Sequence, residues 1–183
     1  MGNTMQKSPL APACFPELPV VNGVTFATIA AGVRYSGRTD VMLARLITGT
    51  SIAGVFTKST TRAAPVLDCQ AKLGGESTTP AAILVNSGNA NAFTGKNGQT
   101  SVTAICDAVA EACDVPVNRV FTSSTGVIGE PLAHDRIIEN LQTLNNTQSA
   151  DEGEAAANTI MTTDSYAKGS TKTVRISSKS VQI

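Results

Sequence analysis

The sequence predicts an α/β protein in which mixed sheets are layered with helices. Residues 24–57 combine short β-prone apolar runs with polar turns, a pattern typical of consecutive strands. Residues 81–85 are continuously apolar, as expected for a strand that is buried on both faces. Residues 99–113 repeat apolar side chains at helical spacing, which predicts an amphipathic helix packed on that sheet. Strands covered by helices are therefore the expected architecture.

The first half of the chain is expected to be mainly sheet. Strands are predicted at 24–31, 41–47 and 51–57, and the short turn between the last two predicts an antiparallel ribbon. A helix is expected to begin near Ala64, because Pro65 is tolerated in the first turn of a helix.

The second half is expected to alternate between strand and helix and to finish as a hairpin. The spacing of apolar residues changes between that of a strand, about two residues, and that of a helix, about 3.6 residues, and polar residues mark the turns between them. The predicted elements are a strand at 119–123, helices at 132–144 and 152–161, and a hairpin at 172–183.

The predicted domain organisation is an extended leader at residues 1–22 and one α/β domain at 23–183, incomplete at its C-terminus. Prolines at 9, 12, 16 and 19 interrupt any regular helix in the leader. The 183 residues, 42% of them hydrophobic, suffice for one sizeable core.

Charge and cysteine usage exclude several kinds of partner. Fourteen basic and fourteen acidic residues balance, so nothing attracts a nucleic-acid backbone or an anionic membrane. The four cysteines form no Cys-x-x-Cys pair and His134 is the single histidine, so no zinc site is expected. No apolar run reaches the length of a membrane span, and residues 1–20 lack the features of a signal peptide. We expect a cytoplasmic protein with reduced thiols and no metal.

Residues 86–92, Asn-Ser-Gly-Asn-Ala-Asn-Ala, lie between a predicted buried strand and a predicted helix. Ligand-binding loops of α/β sheets occupy this position. Three asparagines and a glycine are equally typical of a stiff turn. The segment lacks the glycine and lysine spacing of a phosphate-binding loop.

Residues 123–129, Ser-Ser-Thr-Gly-Val-Ile-Gly, also follow a predicted strand. Gly126 permits a sharp turn that presents consecutive backbone N–H groups, and such groups can stabilise the oxyanion of an acyl-transfer intermediate. The same residues also suit an ordinary turn between strand and loop. The residues alone leave both interpretations open.

Residues 161–164, Met-Thr-Thr-Asp, end the alanine-rich helix at 152–161 with two hydroxyls and a carboxylate. Such a helix end usually satisfies only carbonyls and solvent. His134 lies beside Asp135 and Arg136 on a polar helix face, so we expect it to be solvated and not to act as a base.

Five segments, taken in order, resemble the ornithine acetyltransferase family, also called glutamate N-acetyltransferase. Their order and spacing span nearly everything from Gly23 to the end and are more specific than any single motif. The segments are 30–33 with 36–40, 53–57 with 63–66, 86–92, 124–131 and 161–164.

The resemblance implies a precursor that cuts itself before an internal threonine and yields α and β chains that stay associated. This chain would be the α chain or a fragment of it. The freed threonine of the β chain would carry an acetyl group from N-acetylornithine to glutamate in arginine biosynthesis. No cofactor is implied, although some members accept acetyl-CoA as a co-substrate. The β chain would complete an αββα arrangement, and the αβ pairs would form a symmetric assembly.

The family's functional residues can be carried over at four positions. Thr125 and Gly126 match the pair that forms the oxyanion hole. Thr162 and Thr163 match the substrate-binding segment, in which one of the two threonines binds the amino-acid substrate. Lys168 follows Asp164 by only four residues, too early for the family's substrate-binding lysine. The sequence ends before the family's Ala-Thr cleavage point, so the resemblance places the nucleophile outside this chain.

Two alternative functions follow from the same residues. A self-processing aminopeptidase or amidohydrolase would use the same N-terminal nucleophile and oxyanion hole, with water as the acyl acceptor. A non-catalytic small-molecule-binding domain would need no nucleophile. The five-segment order favours the acetyltransferase.

Overall fold

A computed structural model describes residues 6–183 of the chain. Residues 6–22 contain no helix or strand, and residues 1–5 lie outside the described residues, so the leader and the domain boundaries stay predictions. The strands are β1 (Val24–Ile29), β2 (Val41–Leu46), β3 (Ala81–Asn89), β4 (Val120–Val127), β5 (Thr173–Ile176) and β6 (Lys179–Gln182). The helices are α1 (Ala64–Lys72), α2 (Gly95–Cys113), α3 (His134–Ile138), α4 (Leu141–Asn146) and α5 (Gly153–Thr159).

The main sheet is mixed and has the strand order β1-β2-β3-β4. Strand β2 pairs antiparallel with both β1 and β3, whereas β3 and β4 are parallel. A parallel pair needs a long crossover connection, and α2 supplies it. Strands β5 and β6 form a separate hairpin, as the alternating pattern at 172–183 predicts. The predicted mixed α/β fold is confirmed.

The hydrophobic core lies between one face of the sheet and helices α2, α3 and α4. Val102, Ile105 and Val109 of α2 are at most 3% exposed, because they recur on the helix face that meets the sheet. The opposite face carries a smaller cluster in which Met42 and Ala44 pack against Ala156 of α5. Within residues 6–183 no helix is both long and apolar enough to span a bilayer.

The predicted ribbon of 41–47 with 51–57 is wrong. Residues 51–57 form no strand, and β2 already has β1 and β3 as its two neighbours. Val55 is 99% exposed, so it lacks the packing that favours a valine in a strand.

The predicted helix at 132–144 is two shorter helices. The Asn140 N–H donates to the Ile137 carbonyl at 3.1 Å, a tight turn that ends α3 before α4 begins at Leu141. Ile137, Leu141 and Leu144 are all buried, so the break keeps the apolar residues of both helices on the core.

The four cysteines are free thiols, of which Cys14 is exposed and the other three are buried. Burial raises the pKa of the Cys106 thiol to about 11, although the Lys72 ammonium, 3.2 Å from its sulfur, opposes the shift. Cys106 therefore stays protonated at neutral pH and fills the core, as its helical spacing predicts.

Alkylation by iodoacetamide at pH 8 is expected to modify Cys14 and to spare Cys106. At that pH about one Cys106 thiol in a thousand is ionised, because its pKa lies about three units higher. Intact-mass spectrometry should show one adduct on the native chain and four after denaturation. Modification of Cys106 as fast as Cys14 in the native protein would contradict its burial in this fold.

Candidate active site

The two motifs at 86–92 and 123–129 lie side by side as paired strand ends. Strand β3 continues through Asn89 and β4 continues through Val127. The turns expected directly after residues 85 and 123 are therefore absent, and both segments begin as strand. The parallel register sets Ser87 beside Thr125 and Gly88 beside Gly126. Continued strand pairing satisfies the backbone groups that a turn would leave free.

Gly126 approaches the neighbouring strand more closely than any side chain permits. Its φ is +137°, and a Cβ placed there would lie 2.3 Å from the Gly88 carbonyl carbon and 2.6 Å from the Asn89 nitrogen. A Cβ placed on Gly88 would lie 2.8 Å from Arg34 Cβ. Glycine is therefore required at both positions of this register pair.

The open edge of β4 carries the Gly126 backbone. The carbonyls of Val120 and Thr122 accept bonds from Lys72 and Cys69 of α1, whereas the Val127 carbonyl accepts the Ala90 N–H from the β3 side. Because backbone groups alternate along a strand, the Gly126 N–H is expected on the same edge as those of Val120 and Thr122. Gly126 is exposed, so we expect this N–H to be accessible from solvent.

Buried asparagines hold the ends of β3 and β4 together. The Asn86 amide donates to the Asn89 carbonyl at 2.9 Å, and its oxygen accepts from Ser124 Oγ at 2.7 Å. Asn89 donates to the Glu130 carbonyl at 3.1 Å, and its side-chain oxygen accepts the Asn91 N–H at 2.8 Å. The asparagines are at most 4% exposed, so they support the strand ends and do not face a ligand.

Thr125 shares a face of the sheet with the end of α5. Side chains alternate along strands, so Thr125 lies on the same face as its register neighbour Ser87. Ser87 Oγ donates to the Thr159 carbonyl at 2.7 Å, and Thr159 is the last residue of α5. The fold therefore brings the chain that leads into Thr162 and Thr163 to the sheet face that carries Thr125.

The two candidate substrate-binding threonines differ in exposure. Thr162 is half-buried, whereas Thr163 is exposed. Just beyond them, Lys168 Nζ lies 2.6 Å from Asp164 Oδ1, and this hydrogen bond holds the pKa of Asp164 below its usual value. His134 is the first residue of α3, away from these threonines in the sequence, and its Nδ1 lies 3.1 Å from Ser101 Oγ of α2.

A cavity of about 430 Å³ lies between the segment that leads into α1 and the start of α2, and Arg62 and Phe93 are among its lining residues. The Gly129 N–H donates to the Ala92 carbonyl at 2.8 Å, so the chain that follows β4 lies next to the residue that precedes Phe93. Among residues 6–183, no group of three or more His, Cys, Asp or Glu side chains is placed to hold a metal ion.

Comparison with known proteins identifies the family. The model of the ArgJ family matches residues 25–183, and the chain belongs to that family. It is 64% identical over 183 residues to the arginine biosynthesis bifunctional protein ArgJ of Ruegeria pomeroyi, covering 100% of this chain and 45% of that protein. It is 47% identical over 176 residues to the protein of the same name from Bradyrhizobium diazoefficiens, covering 96% and 42%. The chain thus spans less than half the length of these curated relatives.

Two solved structures share the fold. The arginine biosynthesis bifunctional protein ArgJ of Bacillus halodurans superposes with a TM-score of 0.74 at 29% identity, covering 88% of this chain and 84% of that one. The ornithine acetyltransferase of Mycobacterium tuberculosis, solved with ornithine, gives a TM-score of 0.71 at 34% identity, covering 83% and 80%. The family that the five segments suggest is therefore confirmed.

Two residues connect the two halves of the candidate site, which are the end of β4 with Thr125 and Gly126 and the segment at 161–164. Ser87 lies in the motif at 86–92, whereas Thr159 does not stand out in its local pattern. Arg38 contacts the end of α5 and lies in the Ser-Gly-Arg-Thr-Asp part of the first matching segment. The match of this segment to the family is the sequence feature that singles out Arg38.

Proposed function

We propose that this chain supplies the oxyanion hole and part of the substrate-binding surface of an acetyltransferase that moves an acetyl group from N-acetylornithine to glutamate in arginine biosynthesis. Membership of the ArgJ family supports the reaction class. The observation that carries the proposal is the Gly88–Gly126 approach, because it leaves Thr125 and Gly126 at the end of an open sheet edge.

The proposed chemistry proceeds through an acyl-enzyme. The N-terminal threonine of an associated β chain attacks the acetyl carbonyl, while its own α-amino group takes the hydroxyl proton. The Thr125 hydroxyl and the Gly126 N–H donate to the oxyanion of the tetrahedral intermediate. Collapse breaks the C–N bond and releases ornithine, which takes up the proton. The glutamate amine then attacks the ester carbonyl and gives a proton to the α-amino group. The C–O bond to threonine breaks, the threonine oxygen takes up that proton, and N-acetylglutamate leaves.

The remaining parts of the site follow from this scheme. Thr162 or Thr163 binds the amino-acid substrate, no cofactor takes part, and acetyl-CoA is an alternative donor. The β chain comes from the same precursor, adds its strands to an αββα arrangement and forms symmetric assemblies of αβ pairs. The enzyme works in the cytoplasm. This chain alone does not transfer acetyl groups, because the nucleophile lies on the β chain.

Co-expression of this chain with its natural continuation tests the proposal. The expected product is two associated chains that transfer acetyl from N-acetylornithine to glutamate. Thr125→Ala should lower kcat by about one to three orders of magnitude, because it removes one donor to the oxyanion. Mass detection of N-acetylglutamate under saturating substrates measures this effect.

Thr125→Ser is the matched control, since it keeps the hydroxyl and removes only a methyl group. It should stay close to the wild-type rate, and thermal unfolding should show that both variants are folded. Wild-type turnover in Thr125→Ala would remove Thr125 from the oxyanion hole. Hydrolysis of N-acetylornithine without transfer to glutamate would instead favour the amidohydrolase.

A further inference from the structure

We propose that Arg38 is a positioning residue that sets the location of Thr162 and Thr163 relative to Thr125. The inference rests on the proposed function and adds to it a residue outside the two motifs at 123–129 and 161–164. Arg38 lies in the loop between β1 and β2, on a segment that touches both halves of the site.

Arg38 holds the point at which the chain leaves α5. Its Nη2 donates to the Met161 carbonyl at 2.7 Å and lies 3.5 Å from the Asn158 carbonyl. A guanidinium at the C-terminal end of a helix satisfies carbonyls that lack helical partners and interacts favourably with the helix dipole. Met161 directly precedes Thr162, so this bond fixes the backbone from which both candidate threonines project.

The Arg38 side chain is itself held in place. Its guanidinium carbon lies 4.5 Å from the centre of the Tyr35 ring, a cation–π contact within the same loop. The Tyr35 ring in turn packs against Gly88, where a Cβ would lie 3.1 Å from Tyr35 Cε2. The loop therefore rests on the glycine that pairs with Gly126.

The loop that carries Arg38 is anchored to the sheet beside the oxyanion segment. The Asp40 carbonyl accepts the Ser87 N–H at 2.9 Å, and Thr39 Oγ1 accepts from Thr159 Oγ1 at 2.8 Å. Ser87 is the register neighbour of Thr125. A continuous set of hydrogen bonds thus runs from β3 through the loop to the end of α5 and sets the spacing between the two halves of the site.

Replacement of Arg38 should weaken substrate binding and leave the chemical step intact. In the assembled αβ enzyme, Arg38→Met is expected to raise the KM for N-acetylornithine and for glutamate about tenfold or more, with kcat within about threefold of wild type. Arg38→Lys, which can still donate to the Met161 carbonyl, should recover part of the lost affinity. A general loss of folding would lower kcat and active-enzyme content and would not follow this pattern.

Arg175→Met is the matched control, because Arg175 is exposed and lies in the separate β5–β6 hairpin. It should leave both kinetic constants unchanged. Thr39→Val provides a second test of the same anchor if Arg38→Met does not fold, and a smaller rise in KM is expected. Thr159 Oγ1 still reaches the Ala155 carbonyl at 2.8 Å in that variant.

Hydrogen exchange separates this inference from the proposed function. Amides at 160–166 should exchange faster in Arg38→Met than in Arg175→Met, whether or not the enzyme transfers acetyl groups. A wild-type enzyme without transferase activity would overturn the proposed function alone. Unchanged KM together with unchanged exchange in both Arg38→Met and Thr39→Val would overturn the positioning role, as would a fall in kcat at constant KM.

Discussion

Gly126→Ala is expected to destabilise the protein by about 3–6 kcal/mol, since the added methyl group would overlap the backbone of β3. The φ of +137° imposes strain on any residue with a side chain, and the Cβ would lie 2.3 Å from the Gly88 carbonyl carbon. Backbone atoms of a paired strand cannot move aside as a flexible side chain can. The ends of β3 and β4 would therefore have to separate.

Gly129→Ala isolates the part of this effect that comes from φ alone. Gly129 has a φ of +82°, and a Cβ placed there would meet nothing within 4 Å. Its replacement should cost only about 1–2 kcal/mol. Denaturant unfolding of the two variants measures the difference, and equal stabilities would contradict the close approach of Gly126 to Gly88.

Asp40→Ala is expected to cost about 3–5 kcal/mol, because three backbone donors would lose their acceptor. Asp40 is fully buried, and its carboxylate accepts the N–H groups of Ala31, Gly32 and Val33 at 2.7–3.3 Å. Bonds to a charged acceptor are stronger than neutral ones. Asp40→Asn keeps one oxygen and should cost less than Asp40→Ala.

Asp135→Ala is the control for Asp40→Ala. The Asp135 side chain is 84% exposed, and its carboxylate lies 3.7 Å from the His134 imidazole. Its removal should change stability by no more than about 0.5 kcal/mol. Thermal or denaturant unfolding of both variants tests the comparison, and a mild effect of Asp40→Ala would mean that the 31–33 turn does not depend on this carboxylate.

Local patterns in the sequence predict the elements whose stability is decided nearby. The helix predicted at 99–113, the strand predicted from the continuous apolar run at 81–85 and the hairpin predicted at 172–183 are all present in the structure, where the helix begins earlier, at Gly95. The family could also be recognised, because five short segments keep their order whatever their conformations. Thr125, Gly126, Thr162 and Thr163 come from that order and not from the physics of single residues.

Pairing between distant segments decided the rest. Residues 51–57 have strand-like composition but form no strand, and both sides of β2 are already occupied by β1 and β3. Residues 86–89 look like a turn and yet extend β3, because β4 runs beside them. No local pattern reports either outcome, since backbone hydrogen bonds between strands depend on what the rest of the chain brings alongside.

The sequence by itself therefore determined the fold class, most of the elements and the family of this protein. The tertiary structure alone decided that Gly126 lies against Gly88, that Ser87 joins Thr125 to the end of α5, and that Arg38 reaches Met161. The physical reason is distance along the chain. Helix and hairpin signals act over a few residues. These contacts, in contrast, join residues that are separated by between 38 and 123 positions in the sequence.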